Sequence, residues 1–111
     1  MQFTRSHKVS RLIQKDLSEI FLNQSKTYFK GLLITVTHVF ISKDFSVAKV
    51  YLSLFPTKEK ESFLSTINQR KKYIKTMLAH KTKSQLRKIP ELVFYIDNSM
   101  DHYEEVDSLL K

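Results

Sequence analysis

Two strand-forming runs joined by only five residues dominate the first half of the chain. Residues 32–41 (LLITVTHVFI) are rich in β-branched and aromatic side chains, which fit a pleated, half-buried surface better than a helix. Residues 47–54 alternate, with Ala48, Val50, Leu52 and Leu54 set against Lys49, Tyr51 and Ser53. The connector, residues 42–46 (SKDFS), is short enough for a hairpin, so antiparallel pairing is predicted. Simple alternation in the first strand places Ile34, Val36, His38 and Phe40 on one face. Thr35, Thr37, Val39 and Ile41 then fall on the other. A third strand is predicted after Pro90, where Leu92, Phe94 and Ile96 alternate with Val93 and Tyr95.

Helical spacing flanks these strands. Val9, Leu12, Ile13, Leu17, Ile20 and Phe21 form one apolar face, with Ser6 as the expected N-cap. Lys8, Arg11 and Lys15 stand at i, i+3 and i+7, a basic stripe away from that face. After Pro56 and Thr57, which are expected near the first turn of a second helical region, Phe63, Leu64, Ile67, Ile74 and Leu78 keep the same period. Arg70 or Lys71 fills the core-facing place between Ile67 and Ile74. A buried, unpaired charge there would be costly. Either the long stem snorkels to the rim, or two helices meet at a break near residues 70–72. Residues 100–111 carry Tyr103, Val106, Leu109 and Leu110 at helical spacing, an acidic tail expected as a short helix or a frayed end. The predicted order is helix, strand, strand, helix, helix, strand, tail. This is an α+β single domain over residues 1–111, with helices packed on one face of a three-stranded sheet.

Charge is segregated along the chain. Residues 62–89 contain no acid but hold Arg70, Lys71, Lys72, Lys75, Lys81, Lys83, Arg87 and Lys88. Beyond them Glu91, Asp97, Asp101, Glu104, Glu105 and Asp107 face only Lys111. With a net charge of +8 and a pI near 9.7, the domain presents a positive field that selects polyanions. A charge run alone is often a solvated helix face. Its concentration in one segment argues for nucleic acid.

Composition removes several other classes. The absence of cysteine excludes disulfides and thiolate chemistry. No apolar run approaches the roughly 20 residues of a membrane span. The first residues lack the apolar core of a secretory signal, so a cytoplasmic protein is expected. Gly31 is the single glycine, too few for a phosphate-binding loop, a dinucleotide fingerprint or a GXXG clamp. His7, His38, His80 and His102 have no ligand spacing, and no metal or other cofactor is expected. His38 is read as a partly buried residue of the sheet. No nucleophile, base and orienting group stand together, so the chain is not expected to be an enzyme.

Three stretches carry a family resemblance. Residues 5–21 (RSHKVSRLIQKDLSEIF), residues 34–54 (ITVTHVFISKDFSVAKVYLSL) and residues 89–99 (IPELVFYIDNS) leading into VDSLL resemble the ribosome-binding factor A family of small-subunit assembly factors. The resemblance implies a KH-like fold of type II order, α-β-β-α-α-β, whose central helices meet at a kink. It also implies binding to ribosomal RNA of the free or immature small subunit, a role in its late maturation and no catalysis, and a monomer is expected. In that family the kink is an Ala-x-Gly step. Here Arg70 and Lys72 take those places around Lys71, so a softer break is expected.

The expected RNA contacts are Arg5, Lys8, Arg11 and Lys15 on the first helix, and Arg70, Lys71, Lys72, Lys75, Lys81, Lys83, Arg87 and Lys88 in the central region. These would grip phosphates and position the domain. Among the aromatics that could stack on bases (Tyr28, Phe29, Tyr51, Tyr73 and Tyr95), Tyr73 is the one expected to do so. Phe94 and Tyr95 are expected to pack, while Tyr28 and Phe29 could cover the edge of the first strand. Two other readings stay open on residues alone: a general nucleic-acid chaperone, and a protein-interaction adaptor working through a sheet edge or the acidic tail.

Overall fold

The computed structural model describes residues 5–82, 86 and 88–98. Helix α1 (Arg5–Lys26) leads into strands β1 (Leu33–Ile41) and β2 (Val47–Phe55). Helices α2 (Lys60–Gln69) and α3 (Lys71–Thr82) follow, then strand β3 (Glu91–Ile96). The sheet order is β1-β2-β3. β1 pairs antiparallel with β2, and β3 joins the other edge of β2 in parallel. A parallel neighbour cannot be reached by a tight turn, and the α2–α3 pair makes the crossover.

The helices cover one face. α1 packs along β1 and α3, and α2 packs against β3. Ile13, Leu17 and Phe21 of α1 meet Val50 and Leu52 of β2, Ile67, Ile74 and Leu78 of the crossover helices, and Leu92 of β3, all fully buried. Burial of each such side chain contributes about 1.5–3 kcal/mol. Phe21 sets its edge against the Phe94 ring at 5.9 Å, the geometry that the ring quadrupoles favour.

Strand β1 departs from simple alternation. Val36 pairs with Leu52 and His38 with Tyr51, leaving Thr37 as an extra residue. This bulge inverts the parity of everything after it. Ile34, Val36 and Val39 point inward and are buried, whereas His38 and Phe40 turn outward. The expected faces are therefore right before Thr37 and reversed after it. His38 is not partly buried: its side chain is 62% exposed. The bulge is satisfied from both sides. Gln14 Nε2 of α1 donates to the carbonyls of Val36 (3.0 Å) and Thr37 (3.3 Å). The Thr37 hydroxyl lies 2.7 Å from Asp97 Oδ2 and 3.2 Å from the Tyr51 carbonyl, with both oxygens as acceptors.

Local chemistry sets the other boundaries. α1 already includes Arg5, so Ser6 lies inside the helix rather than capping it. α2 begins at Lys60, later than Pro56 and Thr57 suggest, because the Thr57 hydroxyl accepts the Glu59 N–H at 2.9 Å and holds a turn first. Gly31 has φ +82° with open space where a Cβ would stand, so conformation alone requires the glycine there. In the hairpin turn, Asp44 Oδ1 accepts from the Ser42 hydroxyl (2.9 Å), the Ser46 hydroxyl (2.6 Å) and the Ser46 N–H (3.1 Å). The tail at residues 100–111 lies outside the described residues.

Candidate nucleic-acid interface

The junction of α2 and α3 settles the choice between a snorkelling cation and a break. Arg70 ends α2 with φ −93° and ψ 9°, just off helical geometry. Its N–H still reaches the carbonyls of Thr66 and Ile67 at 3.1 Å, and its own carbonyl accepts from Ile74 at 3.0 Å. The helix is interrupted at this residue while the hydrogen-bond ladder stays almost intact. No positive φ is involved, so a residue with a side chain fits where a sharper kink would favour glycine.

Arg70 is not a free phosphate ligand. Its guanidinium carbon lies 3.9 Å from the Tyr28 ring centre and 4.8 Å from that of Tyr73. Its terminal nitrogen donates to Gln24 Oε1 at 3.1 Å. The planar cation thus ties the end of α1 to the break through two aromatic rings and one amide. Tyr73 stacks on this cation and still leaves half of its surface exposed. Phe29 is buried against Phe63, and Tyr28 sets its edge against Phe29 at 4.8 Å.

Among the remaining expected cations, two lysines are engaged by carboxylates. Lys75 donates to Glu91 at 3.1 Å, and Lys81 donates to Glu19 at 2.6 Å. These bonds, reinforced by the lysine charges, hold the Glu91 and Glu19 carboxyls below their ordinary range. The bond to Glu19 raises Lys81 in turn. Lys8, Arg11 and Lys15 line the exposed side of α1, as the stripe predicts. Arg5 rests its guanidinium 5.3 Å from the Phe45 ring centre. Lys72 is exposed on α3, and Lys71 beside it is half-buried. Lys83 and Arg87 lie outside the described residues.

Two concave surfaces gather these groups. One, of about 730 Å³, brings Arg5 and Lys8 of α1 together with Lys88, over Leu12, Phe45 and Leu86. The other, of about 450 Å³, lies along α3 between Lys72, Lys75 and His80, with Ile89 at its side. Lys88 and Ile89 are consecutive, so the segment before β3 borders both. In the first of them, Lys88 stands with Arg5 and Lys8, residues far apart in the sequence. Among the described residues there is no cluster of potential metal ligands, and no helix long and apolar enough to cross a membrane.

The sequence profile named "Ribosome-binding factor A" matches residues 5–110. The chain belongs to the ribosome-binding factor A family. Its relative in Christiangramia forsetii is 39% identical over 108 residues, 96% of this chain and 82% of that one. The Flavobacterium psychrophilum relative is 39% identical and covers 99% and 85%. The crystal structure of ribosome-binding factor A from Thermus thermophilus superposes with a TM-score of 0.69 at 24% identity, over 84% of this chain and 97% of that one. Coordinates of the Thermus thermophilus factor fitted into the cryo-EM map of a 30S–RbfA complex superpose at 0.66 with 25% identity, covering 86% and 97%. The family's element order, α-β-β-α-α-β, is the one observed here.

One exposed feature escaped the reading of the sequence. The face of the sheet opposite the helices carries His38, Phe40, Tyr51 and Tyr95 in mutual contact. Tyr95 was expected to pack, but 39% of it is exposed. Alternation in β2 and β3 pointed Tyr51 and Tyr95 to one side together. Only the bulge at Thr37 adds His38 and Phe40 to them, and nothing in the local sequence announces it.

Proposed function

We propose that this protein is an assembly factor that binds precursor small-subunit ribosomal RNA and the free or immature small subunit, and assists late maturation. Family membership supports this reading, and the observation that carries it is the Thermus thermophilus relative fitted into a 30S complex. The protein works in the cytoplasm as a monomer, by binding rather than catalysis and without a cofactor. Arg5, Lys8, Arg11 and Lys15 of α1, with Lys71, Lys72 and Lys88, hold phosphates on neighbouring RNA helices. Lys75 and Lys81 contribute less, because each already has a carboxylate partner. Lys83 and Arg87 belong to the same basic segment of the sequence. Arg70 and Tyr73 shape the surface at the helix break rather than gripping RNA through a free guanidinium. Without a GXXG clamp, recognition depends on the spacing of phosphates and on shape.

Sedimentation with small subunits, large subunits and bulk RNA across a salt series tests the proposal. Selective co-migration with small subunits that weakens steeply with salt is expected. Six phosphate contacts would give a log-log slope of roughly −4 to −5. Equal binding to all three would instead make the protein a general nucleic-acid chaperone. Binding that persists at high salt would point to a protein adaptor.

A further inference from the structure

We propose that the open face of the sheet binds unpaired bases of single-stranded RNA, with the aromatic side chains as stacking surface and Lys49 as a phosphate contact. This rests on the reading of the protein as a ribosomal-RNA binder, and it adds a contact surface on the sheet face that the helices leave uncovered. His38, Tyr51 and Tyr95 form one row across all three strands, His38 opposite Tyr51 and Tyr51 opposite Tyr95. Tyr51 and Tyr95 are stacked with ring centres 5.3 Å apart, and His38 and Phe40 are stacked at 6.0 Å. Phe40 meets Tyr51 edge to face at 5.7 Å and joins the two pairs into one continuous group. More than half of Phe40 is exposed, although its neighbours in the strand, Val39 and Ile41, turn to the core side.

Rings grouped in this way on a sheet offer flat apolar surface to bases of any identity. The charge around them selects the occupant. Lys49 is exposed and pairs in register with Phe40 on one side and Val93 on the other, so a cation stands in the row next to the rings. Of the carboxylates at the margins, Glu91 is paired with Lys75, while Asp97 accepts from the Thr37 hydroxyl and keeps its charge 3.9 Å from His38 Nε2. Rings beside an accessible cation, on a domain of net charge +8, complement a polyanion with exposed bases better than an apolar or basic protein surface.

The test uses the full chain and a fluorescently labelled oligouridylate, with anisotropy measured across a potassium chloride series. The double variant Phe40→Leu/Tyr95→Leu keeps apolar bulk but removes two rings. It is expected to lose about tenfold or more in affinity with the salt slope unchanged. Phe40→Tyr/Tyr95→Phe keeps the rings and should bind as the parent does. Lys49→Gln should reduce the slope by about 0.7, one single-strand phosphate contact. Unchanged oligouridylate affinity in the leucine variant would overturn the inference. So would loss of small-subunit binding alone, which would assign the face to a ribosomal protein. If the leucine variant loses oligouridylate while the parent shows no preference for small subunits, the sheet site stands and the assembly reading falls.

Discussion

Arg70 holds its guanidinium carbon 3.9 Å from the centre of the Tyr28 ring, and that contact fastens the turn after α1 to the break between α2 and α3. A flat, delocalised cation suits this place because it can stack and still donate to Gln24. Arg70→Ala should therefore lower stability by about 1–2 kcal/mol, from the lost cation–π contact and charged hydrogen bond. Arg70→Lys should recover little of it. Urea unfolding of the parent and both variants measures the difference. A fully stable lysine variant would show that charge alone is enough.

The bulge in β1 makes a second prediction. Gln14 and Thr37 satisfy the groups that the extra residue takes out of the ladder. Thr37→Val, which keeps the shape and removes the hydroxyl, should cost about 1 kcal/mol. Gln14→Leu, which deprives two carbonyls of their donor, should cost at least as much. Both should lower the urea midpoint without changing the slope of the transition, since the surface exposed on unfolding is the same.

Acid stability should depend on the hairpin turn. Hydrogen bonds from Ser46, first its hydroxyl and then its N–H, lower the Asp44 carboxyl from 3.8 to about 2. A carboxyl with a depressed folded-state value binds fewer protons folded than unfolded in this window. Its stabilising contribution is full above 3.8 and is lost as pH falls through about 2. Asp44→Ala should lower the melting temperature most at neutral pH, with the gap to the parent closing toward pH 2. Thermal melts at several pH values check this. A gap that stays constant across the range would rule out ionised Asp44 as its source.

The engaged and open lysines should separate in salt titrations. Replacing Lys8, Lys72 or Lys88 by glutamine should each flatten the log-log dependence of RNA affinity by about 0.7–0.9. Lys75→Gln and Lys81→Gln should flatten it less. Glu91→Gln, which releases Lys75 from its partner, should strengthen RNA binding. Equal effects from all five lysines would show that the carboxylates do not compete with phosphate.

Much of this fold is legible in the sequence because periodicity reports burial directly. The apolar face from Val9 to Phe21, the alternation of Ala48, Val50 and Leu52, and the odd cation between Ile67 and Ile74 each correspond to what is observed. The errors share a cause. The outward turn of His38 and Phe40 depends on one unpaired residue, held by Gln14 from another element and Asp97 from beyond the last strand. The engagement of Arg70, Lys75 and Lys81 likewise depends on partners distant in sequence: Gln24, Glu91 and Glu19. Segment-by-segment reading finds the cations of the candidate surface but not which of them are already occupied.

The parallel pairing of β3 with β2 also has a consequence for the order of events in folding. The β1–β2 hairpin closes over a short connector, but Ala48 and Leu92 pair across the whole α2–α3 crossover. Long-range pairing of this kind carries a larger loop-closure cost than a hairpin and tends to be slower. During synthesis, β2 presents a bare row of backbone donors and acceptors until residue 96 is available. A nascent chain released before that point would carry an unprotected edge, open to pairing with another molecule. The last strand, the shortest in the sheet, covers that edge of β2 and becomes the edge strand in its place.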